Sequence, residues 1–484
     1  MKWFCILVMQ IHVTLIFAQP ISLHPLNPHY LIYKDAPILL ITSAEHYGAV
    51  LNKDFDYHTY LKTLHDEGMN YTRIFTGSYV EVPGSFGIKH NTLAPESGQF
   101  IAPWTRVDEI SLYTEEKKFD LNQWNTDYFK RLHNFIQEAS DLDIIVEVTF
   151  FCATYQDANW MRHPFNPGNN INIKTHFDRR DFNTSINKEV LHFQKELIRK
   201  LTRELNKYDN VLFELCNEPW ADNGVKTSFL HKTIIPKEGN LGWILWSTAA
   251  SKQTLDWQKD LAQTFRESEA EFPKKHLLAQ NFSNFKEILT EVNDDIDILN
   301  FHYAWPEAVS QNYGWNRPVN FDESGFAGSS DSIYLQQAWS FMLSGGAIFN
   351  NLDYSFYPGR ESGTGENDAP GGGSNILRKQ LKFLKEFLSA FDYVKMKPAN
   401  ELILHSPGLE TYCLAETGTA YAIFGYGRNQ GLLEINLAKG NFEIIIYNPD
   451  NMQKLSQKSF EHQGGNFILD IPRTPRTAIQ IIRS

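Results

Sequence analysis

The sequence predicts an α/β protein, a (β/α)8 TIM barrel followed by a small C-terminal antiparallel β-sandwich. Two patterns carry this. From about residue 38 to residue 392, short apolar and β-branched runs alternate with amphipathic helical stretches, the signature of parallel strands joined by helices. Beyond Pro398 the helical period stops, and short strands separated by Gly, Asn and Asp turns run to the C-terminus. A chain of 484 residues accommodates one large domain and one small one. The boundaries read as a signal segment at 1–18, a barrel at 19–397 and a β-sandwich at 398–484.

In order, "PILLITSAEH" supplies the first strand, and "FDYHTYLKTLHDEG" a helix with Tyr57, Tyr60, Leu61 and Leu64 on one face. Gly68 stops that helix. The second strand is "NYTRIFTG", and a long loop to about Asp120 precedes the helix around "WNTDYFKRLHNFIQEA". "IIVEVTFF" is the third strand; after another long loop come the helix "NKEVLHFQKELIRKLTREL" and the fourth strand, "NVLFELCNE". The helix "WQKDLAQTFRESEAEF" and the strand "HLLAQN" form a weaker fifth pair. "IDILNFHYAW" and "PVNFDESG" are the sixth and seventh strands, and the helix "DSIYLQQAWSFMLSGG" leads to the eighth, "AIFNNLDYSF". The helix "ILRKQLKFLKEFLSAF" closes the set, with every strand expected to be followed by a helix. The sandwich strands are "ELILHS", "AYAIFGYG", "FEIIIYN" and "TAIQIIR".

Composition narrows the partners. A formal net charge of −12, without a Lys/Arg cluster, argues against nucleic acid. The N-terminus has one cation at Lys2, an apolar run, and Ala18 before Gln19 and Pro20, which reads as a cleaved secretory signal. The mature chain is expected to be secreted or periplasmic, with no membrane association after cleavage. Cys152, Cys216 and Cys413 have neither metal nor redox spacing and read as buried small hydrophobes.

Barrel active sites sit where the strands end, so the polar residues there are the candidates. Glu218 ends strand four in "LFELCNEPW" and Glu323 ends strand seven in "VNFDESGF". Strands four and seven face each other across the lumen of a closed eight-stranded barrel, which brings two carboxylates to either side of a bound substrate. Glutamate pairs suit glycosidic cleavage: one attacks the anomeric carbon and the other protonates the leaving oxygen. A charged nucleophile also raises the pKa of its neighbour, which keeps the acid protonated. Glu147 and Glu214 lie within strands and read as paired structural charges, and alternation turns Asp322 to the face opposite Glu323.

"CNEP" and "VNFDESGF" resemble the acid/base and nucleophile strands of the clan of retaining (β/α)8 glycoside hydrolases that includes the family 5 cellulases and mannanases. The resemblance covers about residues 30 to 395. It implies retaining hydrolysis without a cofactor or metal, with Glu218 as general acid/base, Glu323 as nucleophile and Asn217 on the neighbouring sugar hydroxyl. It further implies nucleophile support from Arg73, whose other reading is pairing with Glu147 or Glu214. "FHYAW" is similar to the histidine and tyrosine element of family 5, but its usual spacing puts tyrosine at position 304, which is Ala304. His302 and Tyr303 are therefore expected in the site with their individual roles open.

Glu45 and His46 end strand one, where this clan often binds the terminal sugar. Strand eight lacks the clan's usual tryptophan, leaving Asn350, Asn351 or Asp353 to bind hydroxyls or cap a loop. Trp220, Trp305 and Trp104 are candidate sugar platforms or core residues. The expected substrate is an oligo- or polysaccharide, and long loops favour chain ends or short oligosaccharides. Two rival readings are a non-catalytic glycan-binding barrel, disfavoured by the retention of both glutamates, and a metallohydrolase using His46, His302 and Glu45.

Overall fold

The computed structural model describes residues 19–230, 241–366 and 369–484, and the expected signal segment lies outside them. Eight parallel strands form the barrel: β1 (Leu40–Ala44), β2 (Tyr71–Phe75), β3 (Ile145–Cys152), β4 (Val211–Asn217), β5 (Leu278–Asn284), β6 (Ile298–His302), β7 (Val319–Glu323) and β8 (Ile348–Leu352). The ladder runs from β1 through β8, β7, β6, β5, β4 and β3 to β2, leaving only the β1–β2 seam without ladder bonds. Every residue of these strands is buried. That explains their near-continuous apolar character, because helices cover one face and the lumen encloses the other.

The outer layer comprises α1 (Tyr57–Asp66), α2 (Thr126–Asp141), α3 (Lys188–Leu205), α4 (Lys252–Ala270), α5 (Pro306–Asn312), α6 (Asp331–Met342) and α7 (Asn375–Ser389). Asp56, Asn125, Asn187, Ser251 and Ser374 cap helix N-termini by accepting backbone N–H groups. α1 buries Tyr57, Tyr60, Leu61 and Leu64, the face that its periodicity predicts, and Gly68 follows it at φ +79°.

Two expectations need correction. No helix joins β5 to β6 among the described residues. The intervening segment, rich in Asp and Glu, has no repeating apolar face, and it is tied down through Leu289, which donates to Asn312 and accepts from Trp315. The β2–β3 connection, read as a loop, contains an antiparallel hairpin of Trp104–Ile110 and Lys117–Trp124. Its charged outer positions hid the strand alternation.

The C-terminal region forms one continuous seven-stranded antiparallel sheet. It contains β9 (Leu409–Glu416), β10 (Ala420–Gly427), β11 (Leu432–Asn448), β12 (Gln453–Asp470) and β13 (Arg476–Arg483), with two short strands at 397–398 and 403–405. The two halves of β11 pair with different neighbours, β11 meeting the 403–405 strand early and β13 late, so the sheet wraps around its own core of Tyr421, Ile435, Phe442 and Ile481. Its other face joins the barrel core through Ala422, Phe424 and Ala478. Trp339 of α6 stacks on Phe424 with ring centroids 5.4 Å apart, and Gln480 donates to the Phe387 carbonyl at 3.0 Å.

Candidate active site

Distortion at the strand ends builds the site. Glu218 leaves β4 at φ 44°, Tyr303 leaves β6 at φ 51°, and Tyr155 follows β3 at φ 56°. Three bulky residues in the left-handed region at one end of a barrel mark backbone strain gathered where function is expected. A bulge adds to it. In the β6–β7 ladder Phe301 pairs with Phe321 and His302 with Glu323, which leaves Asp322 unmatched. Asp322 and Glu323 therefore both face inward, against the alternation read from the sequence.

The acidic pair meets across the mouth. Oxygens of Glu218 and Glu323 and a nitrogen of His302 lie within 4.8 Å of one another. Tyr303 Oη donates to Glu323 Oε1 at 2.8 Å, and Arg73 Nη1 stands 3.5 Å from Glu323 Oε2. Tyr155 Oη donates to Glu218 Oε2 at 2.8 Å and accepts from Asn217 Nδ2 at 2.7 Å. His302 Nδ1 bridges the pair, 3.0 Å from Glu218 Oε1 and 3.5 Å from Glu323 Oε2.

Beneath the pair lies a buried polar network. Arg73 donates through Nε and Nη2 to Glu214 Oε2 and stands 3.6 Å from Asp322. Its plane lies 4.6 Å over the Tyr47 ring. Asn300 Nδ2 lies within hydrogen-bond distance of Glu147, Glu214 and Asp322, and Tyr71 donates to Glu147. Arg73 thus joins its two sequence readings, paired to Glu214 by one edge and facing Glu323 with the other.

Burial pushes all these carboxyls up, and their neighbours decide the outcome. Burial and the adjacent Glu214 and Asp322 charges carry Glu147 to about 8, so it is largely protonated at neutral pH. For Glu218, hydrogen bonds from His302 and Tyr155 and the His302 charge outweigh burial, and the carboxyl sits below its ordinary value. Glu323 stays above its ordinary value because burial and the Glu218 charge outweigh His302 and Arg73. Burial disfavours a charged His302, yet Glu323, Asp322 and Glu218 hold the imidazole well above its usual pKa.

Other sequence candidates separate by placement. Asn217 leaves Oδ1 buried and unpartnered beside the pair. Trp220 packs edge-on against His302 at 5.5 Å. Glu45 is fully buried, accepting from Gly48 N, Ala49 N and Thr92 Oγ1, and so fixes the loop after β1; burial raises it to about 7 despite those bonds. His46 lies 3.7 Å from Glu81 and packs beside Tyr354. Asn351 accepts from Ser324 and donates to Ser43, while Asp353 pairs with buried Arg378. Asn350 donates to the Asp322 carbonyl. These three tie β8 to its neighbours. Trp104 is enclosed by Trp124 and Phe165, and Trp305 caps α5 beside Phe285.

Three site residues escaped the sequence reading. Tyr155 contacts both Asn217 and Glu218 from a loop with no motif. Tyr354, just past β8, has a buried unpartnered hydroxyl and packs beside His46, near where the clan carries its tryptophan. Trp243, from the β4–α4 connection, lies 5.0 Å from the Tyr303 ring and stacks on Phe285.

A barrel with two carboxyls facing each other at its mouth is an arrangement that barrel glycoside hydrolases use, and the comparisons bear on that class. The family model for cellulase (glycosyl hydrolase family 5) matches residues 40–271, a span that includes Glu218 and stops before Glu323. No curated protein matches the chain. Among solved structures, a Bacteroides vulgatus ATCC 8482 protein put forward as a glycoside hydrolase is similar over 96% of this chain and 82% of its own, at 15% identity and TM-score 0.65. A family 5 glycoside hydrolase from the same organism aligns over 96% of this chain and 93% of its own, at 11% identity and TM-score 0.61. The match over residues 40–271 and the shared barrel fold support a glycoside hydrolase.

His302 yields a pH prediction. A pKa raised on folding contributes stability that is complete below the unfolded value of about 6.5 and is lost as pH climbs through the folded value. Urea unfolding across pH should show His302→Gln less stable than wild type by about 3–5 kcal/mol at its widest, below pH 6.5, as expected for a broken buried pair. The gap should narrow at higher pH; a gap that widens would contradict a charged His302.

Proposed function

We propose that the chain is a retaining O-glycoside hydrolase working by double displacement, with Glu323 as nucleophile and Glu218 as general acid/base. The observation that carries this is the approach of the two carboxyls, with oxygens within 4.8 Å across the mouth. Retaining enzymes hold their carboxyls roughly 5–5.5 Å apart, whereas inverting enzymes need roughly 6.5–9.5 Å to admit a water. Tyr303 and Arg73 both address Glu323, fixing its aim and favouring its anionic form.

In the first step Glu323 attacks the anomeric carbon as the bond to the leaving oxygen breaks, and that oxygen takes a proton from Glu218. The His302 imidazolium, 3.0 Å from Glu218, can supply that proton to an otherwise ionised carboxyl. Ester formation removes the Glu323 charge. Glu218 then takes a proton from water, which attacks the anomeric carbon and releases Glu323.

The mouth is narrow, with Glu218 9% and Glu323 5% exposed, and Trp220, Tyr303 and Phe285 are buried around it. That enclosure supports action on chain ends or short oligosaccharides. The N-terminal pattern of Lys2, an apolar run and Ala18 supports a secreted or periplasmic enzyme.

A metal-dependent reading has one observation in its favour, since Glu218, His302 and Glu323 converge as three ligands would. A protonated imidazole and two tyrosine donors on the carboxylates favour the proton-transfer reading instead. Hydrolysis should therefore persist in EDTA, and loss of activity restored by a divalent cation would transfer the triad to metal chemistry.

The two glutamates separate by leaving group. Glu323→Ala should abolish hydrolysis of every substrate. Glu218→Ala should still cleave aryl glycosides with acidic phenols, which need little protonation, and added azide should speed its turnover with retained configuration. Azide products of inverted configuration from Glu218→Ala, read by NMR, would reverse the two labels.

A further inference from the structure

Away from the catalytic mouth, a cavity of about 500 Å³ opens where α6 meets the C-terminal sheet, lined by Ser332, Gln336, Tyr426, Asp450 and Arg476. α6 starts eight residues after Glu323, so Ser332 and Gln336 lie in its first two turns, at the end of the barrel that carries the acidic pair. Tyr334 Oη donates to the Gly328 carbonyl at 2.5 Å, and Asp331 accepts from Gly373 N at 2.8 Å. These bonds fix the loops after β7 and β8. One of them carries Phe326, whose ring lies 6.0 Å from that of Tyr303. The cavity wall is thus continuous with a loop that frames the active site.

The lining suits a neutral sugar. Tyr426 of the lining is held near parallel to Tyr412 on the neighbouring strand, with centroids 6.4 Å apart and planes at 14°, and both rings are half-buried. Glu410 accepts from both hydroxyls, which locks the rings in place while leaving apolar surface open. Arg476 donates from Nη1 to Asp450 at 2.5 Å and from Nη2 to Ser332 Oγ at 2.6 Å, while its Nε is buried without a partner. The one cation of the lining is already paired with Asp450, which does not suit an anionic ligand. An aromatic face flanked by a guanidinium, an amide and a carboxylate matches the C–H face and hydroxyls of a pyranose. Arg476 also joins sheet to barrel through Ser332, but the Tyr426 ring face is not required for that contact, which Trp339 and Phe424 make in addition.

We propose that this junction is a second, non-catalytic carbohydrate site that holds a neutral glycan segment while another part of the same chain is cleaved. The proposal rests on the glycoside hydrolase assignment and not on the retaining mechanism. Titration of full-length Glu323→Gln with cellohexaose and mannohexaose should reveal, for at least one of them, a binding event that Tyr426→Ala removes and Tyr426→Phe keeps. In the otherwise wild-type enzyme, Tyr426→Ala should lower kcat/KM on the matching polymer by about threefold to tenfold while aryl-glycoside turnover stays unchanged. Gln336→Ala, on the helix side of the cavity, should shift the same ratio if Tyr426→Ala does not fold. Unchanged titrations, or equal losses on polymer and aryl glycoside, would overturn the site. Polymer and aryl glycosides both left intact by wild type, with a Tyr426-dependent isotherm retained, would instead count against the activity alone.

Discussion

Everything at the catalytic end depends on neutralising acid inside a nearly closed barrel. Five carboxyl groups, Glu147, Glu214, Asp322, Glu218 and Glu323, share one buried network with two cationic groups, Arg73 and His302. An uncompensated charge there would cost several kcal/mol, so the carboxyls in excess of the cations are driven towards their protonated forms. Glu147 shows this most plainly, lifted to about 8. The same pressure keeps a proton within reach of the acidic pair. Glu218 and Glu323 then titrate together, and which holds the proton follows the position of His302 between them.

Local backbone strain converts that network into a directed site. Alternation along β7 places Asn320 and Asp322 in the lumen and Phe321 against α6, and the bulge opposite His302 turns Glu323 inward as well, so both carboxyls reach the network. Left-handed turns at Glu218, Tyr303 and Tyr155 let short segments present their side chains to one point. The cost of those turns is met by a barrel whose strands are buried along their whole length and whose C-terminal sheet shares its core.

Much of the fold was legible because apolar runs and amphipathic stretches alternate over most of the chain. The missing helix between β5 and β6 was not, since counting strands assumes a helix after each, and that segment carries no amphipathic face. Glu218 and Glu323 were legible because each stands at the end of a buried run, where a carboxylate must have a purpose. Tyr303 was ambiguous because its spacing differs from the family pattern; its left-handed backbone brings the hydroxyl to Glu323 all the same. Asp322 was misplaced because alternation was counted back from Glu323, whereas Glu323 faces inward through a bulge that leaves no mark in the sequence. Tyr155, Tyr354 and Trp243 come from irregular segments, where a sequence signals neither direction nor neighbour.

In the proposed mechanism Glu323, aimed by Tyr303 and Arg73, forms a covalent bond to the sugar. A 2-deoxy-2-fluoro glycoside with a good leaving group slows breakdown of such an intermediate, and peptide mapping by mass spectrometry then locates the label. The label is expected on the peptide containing Glu323. A label on Glu218, or rapid turnover to a product of inverted configuration with no label at all, would contradict it.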